Sequence, residues 1–141
     1  AKLVEIARRQ DEPVWFGDAA SEEMLEKLGL HSAPALVVTM DAPEVVEAVV
    51  ATARRLRPDL VIVARARDAR QARKLYDLGA TDAVPETIEA SLQLSEAVLV
   101  HIGVPMGLII ASIHEKRDEI RTRLNLPLPA PARMVRRRPA P

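Results

Sequence analysis

Polar and charged side chains that could bind a ligand stand at four points of the chain, each directly after a short apolar run. The four segments are Gly17-Asp18-Ala19, Thr39-Met40-Asp41, Arg65-Ala66-Arg67-Asp68 and Pro85-Glu86-Thr87. Continuous apolar runs are typical of parallel strands covered on both faces, and ligands of such sheets bind beyond the carboxyl ends of the strands. The sequence therefore predicts a ligand-binding edge built from these four loops.

Three of the loops carry groups suited to a ligand. Gly17 would let the backbone approach it closely, and Asp18 would accept hydrogen bonds from an adenine amine or a ribose hydroxyl. The same two residues are also typical of a strand-to-helix turn. Alternation along an extended chain places Arg65 and Arg67 on one side, where a guanidinium could bind a phosphate or carboxylate or form a surface ion pair. Glu86 could bind a cation or ligand, or simply begin a helix.

Several classes of chemistry are excluded by what the sequence lacks. It has no cysteine, so disulfides, thiol catalysis and cysteine-based zinc sites are ruled out. His31, His101 and His114 share no metal-ligand spacing. The sequence contains no Gly-x-Ser-x-Gly, Gly-x-Gly-x-x-Gly or Walker motif. We therefore expect no metal site and no enzymatic activity.

The composition is that of a globular domain with an aliphatic core. The 141 residues include 20 basic and 20 acidic side chains, and only one Trp, one Tyr and one Phe. Without a basic excess or aromatic platforms, nucleic-acid binding is not expected. The apolar stretch 97–113 is interrupted by Gly103 and Pro105 and is too short to cross a membrane. The charged residues near the start are unlike a signal peptide.

Strand-like and helix-like segments alternate along the chain, which predicts the α/β class with a Rossmann-like parallel sheet and flanking helices. Predicted strands are 14–16, 35–39, 60–64 and 82–85, and predicted helices are 22–28, 43–57, 68–78, 86–102 and 106–124. Ser21 and Asp68 are expected to cap helices, Asp41 and Pro43 to open one, and Gly79 to end one. The Pro- and Arg-rich tail 127–141 is expected to be extended or disordered.

Motifs from each of these regions follow one another in a distinctive order. They are Val14-Trp15-Phe16-Gly17-Asp18-Ala19, Gly29-Leu30-His31-Ser32-Ala33, Ala35-Leu36-Val37-Val38-Thr39, Ile62-Val63-Ala64-Arg65-Ala66-Arg67-Asp68 and Val84-Pro85-Glu86-Thr87. In this order they resemble the TrkA-N domain (KTN, or RCK N-lobe) of bacterial potassium transport, especially the version in Kef-type potassium:proton antiporters. The resemblance covers about residues 2–104, and 109–124 is similar to the segment that follows in Kef-type proteins.

The resemblance implies a non-enzymatic regulatory domain on the cytoplasmic face of the inner membrane. Such a domain binds NAD(H) or another adenine nucleotide and gates an attached transmembrane antiporter domain through a change in a homodimer. The family dimerises partly through the helix that corresponds to 86–102. The implied organisation is a partial Rossmann-like domain at 1–104, a C-terminal helical extension at 105–126 and the tail at 127–141.

The resemblance also assigns roles by position. Asp18 would contact the adenosine, Thr39 would line the same pocket and Arg65 would face the phosphates. Glu86 would lie near the ligand or the dimer partner. The expected cofactor-binding residues are Gly17, Asp18, Ala19, Thr39, Arg65, Arg67 and Glu86.

The sequence departs from the family pattern at its start. A TrkA-N domain begins with a strand, a Gly-x-Gly-x-x-Gly turn, a helix and a second strand that ends in an acidic residue, none of which is present here. Residues 2–10 resemble the helix after that second strand. Either the sequence is a piece of a longer protein, or strand 14–16 pairs directly with 35–39 or with another chain. We expect residues 1–141 alone to bind nucleotide weakly or not at all.

Two other classes share parts of the pattern. The stretch 58–86 is similar to the second half of a response-regulator receiver, but Val84 stands before Pro85 where a receiver has a lysine. An NAD-dependent dehydrogenase would need the glycine fingerprint and a positioned acid–base group, and the sequence offers neither.

Overall fold

The computed structural model describes residues 17–128, which divide into two compact units at 17–89 and 90–128. The predicted strand 14–16, the helix-like stretch 2–10 and most of the tail lie outside the described residues. The elements are helix α1 (Glu22–Lys27), strand β1 (Ala35–Val38), helix α2 (Pro43–Leu56), strand β2 (Val61–Ala66), helix α3 (Ala69–Leu78), strand β3 (Asp82–Pro85), helix α4 (Glu86–His101) and helix α5 (Met106–Arg123). None of these helices is long and apolar enough to span a membrane.

The strands form a parallel sheet in the order β1-β2-β3, which confirms the predicted α/β class. Val38 pairs with Ala64, and Ala66 pairs with Pro85. The predicted end of β2 at residue 64 is wrong by two residues, because its ladder with β3 continues to Pro85. Arg65 consequently lies within the strand rather than in the loop after it.

The core lies on the face of the sheet that α2 and α3 cover. Each of these helices connects two neighbouring parallel strands, and the two connections progress in the same direction along the sheet. Such connections are almost always right-handed, which places both helices on the same face. Ile62, Ala64 and Ala66 alternate along β2 and are fully buried toward that face. The buried positions of the helices follow a helical period and are Val46, Val49, Val50 and Ala53 in α2 and Ala72 and Leu75 in α3.

The opposite face of the sheet is more exposed than the sequence suggests. Val37 is 65% exposed and Val61 is 45% exposed. The expectation that both faces of the strands are covered is therefore wrong at these positions. Neither crossover helix covers this face, because α2 and α3 share the other one.

Local chemistry sets most of the helix ends as predicted. The Ser21 hydroxyl accepts a hydrogen bond from Met24 N, and Asp68 Oδ1 accepts one from Gln71 N. Gly79 ends α3 with φ +111°, a left-handed conformation that favours glycine. Helix α2 begins at Pro43 as predicted, but Asp41 does not cap it, because the cap residue Ala42 makes no side-chain hydrogen bond and the Asp41 carboxylate pairs with Arg65.

Arg54 of α2 and Arg57, the residue directly after that helix, hold the edge of the sheet where the strands begin. Arg54 donates from Nε to Gly79 O at 2.8 Å and from Nη1 to Pro58 O at 2.9 Å. Arg57 donates from Nη1 to Leu30 O at 2.7 Å. These bonds join the end of α2 to the loops around it through backbone carbonyls, which are fixed acceptors.

The second unit contains most of α4 and all of α5. Its buried apolar side chains include Leu92, Ile109 and Leu126. Arg121 is also buried, and it donates a hydrogen bond from Nη1 to Pro127 O at 3.1 Å. This bond ties the segment after α5 back to the last turn of the helix.

Candidate ligand-binding site

Arg65 stands at the centre of a charged cluster at the carboxyl edge of the sheet. Its Nε lies 2.8 Å from Glu86 Oε1, and its Nη2 is ion-paired with Asp41 Oδ1. One guanidinium thus bridges two carboxylates through different nitrogens. This arrangement uses the fork of donors that distinguishes Arg from Lys.

The sheet order explains why these three residues meet. Asp41 follows β1, Arg65 is the penultimate residue of the central strand β2, and Glu86 follows β3 directly. Parallel strands end at the same edge, so each neighbour of β2 delivers one carboxylate toward the arginine. Two of the predicted site residues, Arg65 and Glu86, therefore lie together with Asp41 of the predicted loop 39–41.

A cavity of about 170 Å³ lies over this cluster. Its lining residues are Met40, Asp41, Arg65, Ala66, Arg67, Gln71 and Glu86. The Asp41 side chain is 93% exposed, and Arg65 and Glu86 are partly exposed. Exposed ion pairs contribute only about 0–1 kcal/mol each, so a ligand could rearrange this cluster at small cost.

A second cavity of about 260 Å³ adjoins the first and lies beside the N-terminal turns of α2 and α3. It is lined by Pro43, Glu47, Arg67, Asp68, Arg70, Gln71 and Lys74. Arg67 and Gln71 belong to both cavities. Lys74 Nζ lies 3.1 Å from Glu47 Oε2, so this cation is already paired.

Gln71 fixes the backbone between the two cavities. Its Oε1 accepts a hydrogen bond from Arg67 N at 2.6 Å, and its own N–H donates to Asp68 Oδ1 at 2.9 Å. Gln71 was not among the predicted site residues. The spacing Asp68-x-x-Gln71, which is close to that of a capping box, is the sequence signal that could have identified it.

The remaining predicted site residues lie elsewhere or serve the turn. Asp18 Oδ1 accepts a hydrogen bond from Ala20 N at 3.0 Å, and Asp18 O accepts one from the Ser21 hydroxyl at 2.8 Å. Gly17, Asp18, Ala19 and Thr39 are not among the described residues that line either cavity. The geometry thus gathers Arg65, Arg67 and Glu86 but not the other four.

No metal-binding cluster of three or more His, Asp or Glu side chains is present between residues 17 and 128. The charged groups at this edge are the carboxylates that pair with Arg65 and a mixture of cations and carboxylates beside Arg67. Such groups can bind a polar or anionic small molecule, while a nucleophile with a positioned base is not part of either cavity lining.

Comparison with known proteins identifies relatives of this chain. The TrkA-N domain model matches residues 1–86. The chain is 42% identical over 114 residues to K(+) efflux antiporter 1, chloroplastic, of Arabidopsis thaliana, covering 81% of the chain and 10% of that protein. It is 34% identical over 117 residues to the putative K(+) efflux antiporter KefB of Alkalimonas amylolytica, covering 83% of the chain and 18% of that protein. The chain therefore spans less than a fifth of these curated relatives.

Two solved structures share the fold. The Kef C-terminal domain of Shewanella denitrificans in its AMP-bound form has a TM-score of 0.66 and 31% identity, and the match covers 79% of this chain and 70% of that one. The TrkA-N domain of the inner membrane protein ybaL from Escherichia coli has a TM-score of 0.64 and 27% identity, and the match covers 68% of this chain and 71% of that one.

Proposed function

The chain belongs to the TrkA-N domain family, and we propose that it acts as the ligand-sensing regulatory domain of a Kef-type potassium efflux antiporter. The observation that carries the proposal is the match to a Kef C-terminal domain in its AMP-bound form over 79% of this chain. The curated relatives with potassium efflux names support it. Because the chain spans only part of those proteins, the transport activity belongs to the proposal.

The proposed ligand is an adenine nucleotide or NAD(H), bound at the carboxyl edge of the sheet. Arg65 and Arg67 are the two cations at this edge that are available to its phosphates, and Asp41 and Glu86 supply acceptors for its hydroxyl or amino groups. The predicted roles of the loop Gly17-Asp18-Ala19 at the adenosine and of Thr39 in the same pocket remain part of this proposal. The domain itself carries out no reaction.

Glu86 couples this edge to the rest of the chain. It is an ion-pair partner of Arg65 and also the first residue of α4, which continues beyond residue 89 into the second unit. A ligand that competes with Glu86 for Arg65 changes the contacts of the first turn of α4. Such a ligand shifts the equilibrium between two conformations of the domain only if it makes more favourable contacts with one conformation than with the other.

The proposed homodimer and the transmembrane antiporter domain would convert that shift into a change in transport. Leu94, Val98 and Ile102 are spaced as one stripe along α4 and its end, and all three are exposed. An exposed apolar stripe of this kind is typical of an interaction surface. In the proposed arrangement, residues 1–104 form the regulatory domain and 105–126 its helical extension. The dimer lies at the cytoplasmic face of the membrane and gates the transmembrane antiporter domain.

The proposal is tested with the purified full-length protein. AMP, ATP and NADH are titrated by calorimetry, and potassium efflux from proteoliposomes is measured with and without the nucleotide that binds. We expect at least one nucleotide to bind and to change the efflux rate. No binding, or binding without any change in efflux, would contradict the proposal.

A matched pair of variants tests the role of Glu86. Glu86 and Glu22 are both half-exposed, at 48% and 51%, and both pair with an arginine. Glu86→Gln is expected to alter the nucleotide dependence of efflux, whereas Glu22→Gln, on α1 and outside both cavities, is expected to leave it unchanged. Identical behaviour of the two variants would remove Glu86 from the mechanism.

A further inference from the structure

We infer that Arg67, rather than Arg65, binds the anionic group of the ligand, so that a phosphate enters the 260 Å³ cavity beside α2 and α3 and not the 170 Å³ cavity over Arg65. This inference rests on the proposed nucleotide-binding function and assigns its phosphate specificity to one residue. It reverses the assignment by position, in which Arg65 faces the phosphates.

Arg65 is already engaged by protein carboxylates. Glu86 lies at its Nε and Asp41 at its Nη2. An anion that approaches this guanidinium meets two carboxylates around one cation. Like charges in close contact disfavour one another, so the surroundings of Arg65 oppose a phosphate unless at least one carboxylate moves away.

Arg67 differs from Arg65 in its ion pairing, although carboxylates line both of the cavities that it borders. Among residues 17–128 the structure records ion pairs for Arg65 but none for the Arg67 or Arg70 side chains. Arg67 is exposed and lines both cavities. Its backbone N–H is held by Gln71 Oε1 at 2.6 Å, which anchors the base of the side chain.

The charges of the 260 Å³ cavity leave a positive surplus for an incoming anion. Lys74 is paired with Glu47, which leaves two arginines against one carboxylate, Asp68, whose Oδ1 also accepts the Gln71 N–H of α3. Arg67 and Arg70 remain as the cations of this lining. A guanidinium binds phosphate through two parallel hydrogen bonds, and the adjoining carboxylates of the 170 Å³ cavity can accept from the hydroxyl or amino groups of a nucleoside.

The test compares AMP with adenosine, because the two differ only by the phosphate. Calorimetric dissociation constants are measured for the full-length protein and for Arg67→Ala, Arg65→Ala and Arg55→Ala. Arg55 is the charge-matched control, since it is an exposed arginine on α2 that pairs with Glu22 and lines neither cavity. We expect Arg67→Ala to weaken AMP binding about 10- to 100-fold, as removal of a charged hydrogen bond does, with adenosine binding changed less than about 2-fold.

Arg65→Ala is expected to reduce the preference for AMP over adenosine less than Arg67→Ala does. A larger reduction in Arg65→Ala, or equal affinities in Arg67→Ala and Arg55→Ala, overturns the assignment to Arg67 while leaving nucleotide binding intact. If the unmodified protein binds neither AMP nor adenosine, the proposed function fails and this inference fails with it.

Discussion

Replacing Arg54 by alanine is expected to destabilise the sheet unit, because one guanidinium joins three parts of it. Arg54 donates to Gly79 O, to Arg57 O and Pro58 O, and to the Thr81 hydroxyl. The acceptors lie after α3, after α2 and before β3. Alanine removes every one of these donors and leaves the helix propensity of the position high, so the loss reports on the hydrogen bonds.

The expected size follows from which of these bonds are shielded from water. The bonds to Gly79 O, at 2.8 Å, and to Arg57 O, at 3.1 Å, are partly buried, while the other two are exposed. Water replaces the exposed bonds at little cost. Counting about 1–1.5 kcal/mol for each partly buried bond predicts a loss of about 2–3 kcal/mol in the free energy of unfolding.

Arg55→Ala is the matched control. Arg55 is the next residue of the same helix and makes an exposed ion pair with Glu22 at 3.1 Å. Its replacement is expected to cost less than about 0.5 kcal/mol. Urea unfolding followed by circular dichroism measures both variants, with an unchanged slope showing that the extent of unfolding is the same.

Hydrogen exchange then locates the effect. Faster exchange in Arg54→Ala is expected at β2 and β3, because the guanidinium holds the loops that precede these strands, and not in α5. Equal losses in the two variants, or a loss below about 0.5 kcal/mol for Arg54→Ala, would refute the reasoning.

Two further predictions concern stability. Gly79→Ala is expected to lower the free energy of unfolding by about 1–3 kcal/mol, because φ is +111° and the new Cβ would lie 2.6 Å from Arg54 Cγ. Gly107→Ala, where a new Cβ would meet no atom within 4 Å, is expected to stabilise α5 by up to about 1 kcal/mol. Thermal unfolding of both variants measures these changes, and a change in the same direction for both would count against the prediction. The hydrogen bond from Arg57 lowers the pKa of the Asp59 carboxyl. The stabilisation that the ionised Asp59 carboxylate provides is therefore present above the usual aspartate pKa of about 3.9. It is lost as the pH falls through the lowered folded-state pKa. Asp59→Asn is therefore expected to make the free energy of unfolding depend less steeply on pH in the acid range. An unchanged pH dependence would contradict this role of Asp59.

The sequence predicts the features that local rules control. The caps at Ser21 and Asp68 and the left-handed Gly79 follow from side-chain oxygens and a missing Cβ, and the structure confirms them. The order of motifs also identified the family, which the TrkA-N match confirms. The TrkA-N match covers residues 1–86 and so includes the whole stretch 58–86 on which the receiver interpretation rested.

The site depends instead on contacts between distant residues, and these were only partly predictable. Asp41 was expected to help open α2, but its carboxylate pairs with Arg65, which is 24 positions away in sequence. That choice depends on how far β2 extends, and the end of β2 depends on pairing between Ala66 and Pro85. A pattern read along one chain segment does not contain this pairing, so the sequence offered a surface ion pair as one alternative for Arg65 but could not name its partners.

Arginines play different roles at the edge where the strands begin and at the carboxyl edge where they end, and the difference indicates which of the two can respond to a ligand. Arg54 and Arg57 donate to several backbone carbonyls, whose positions are set by the chain itself, and Arg57 also pairs with the exposed Asp59 carboxylate. Arg65 instead bonds the side-chain carboxylates of Asp41 and Glu86, which can rotate away from it. A ligand at the edge where the strands begin would have to move the backbone. A ligand at the carboxyl edge needs only to displace one exposed carboxylate from Arg65. Small free-energy differences of the kind that shift two-state equilibria are therefore available at the edge where Arg65, Arg67 and Glu86 lie.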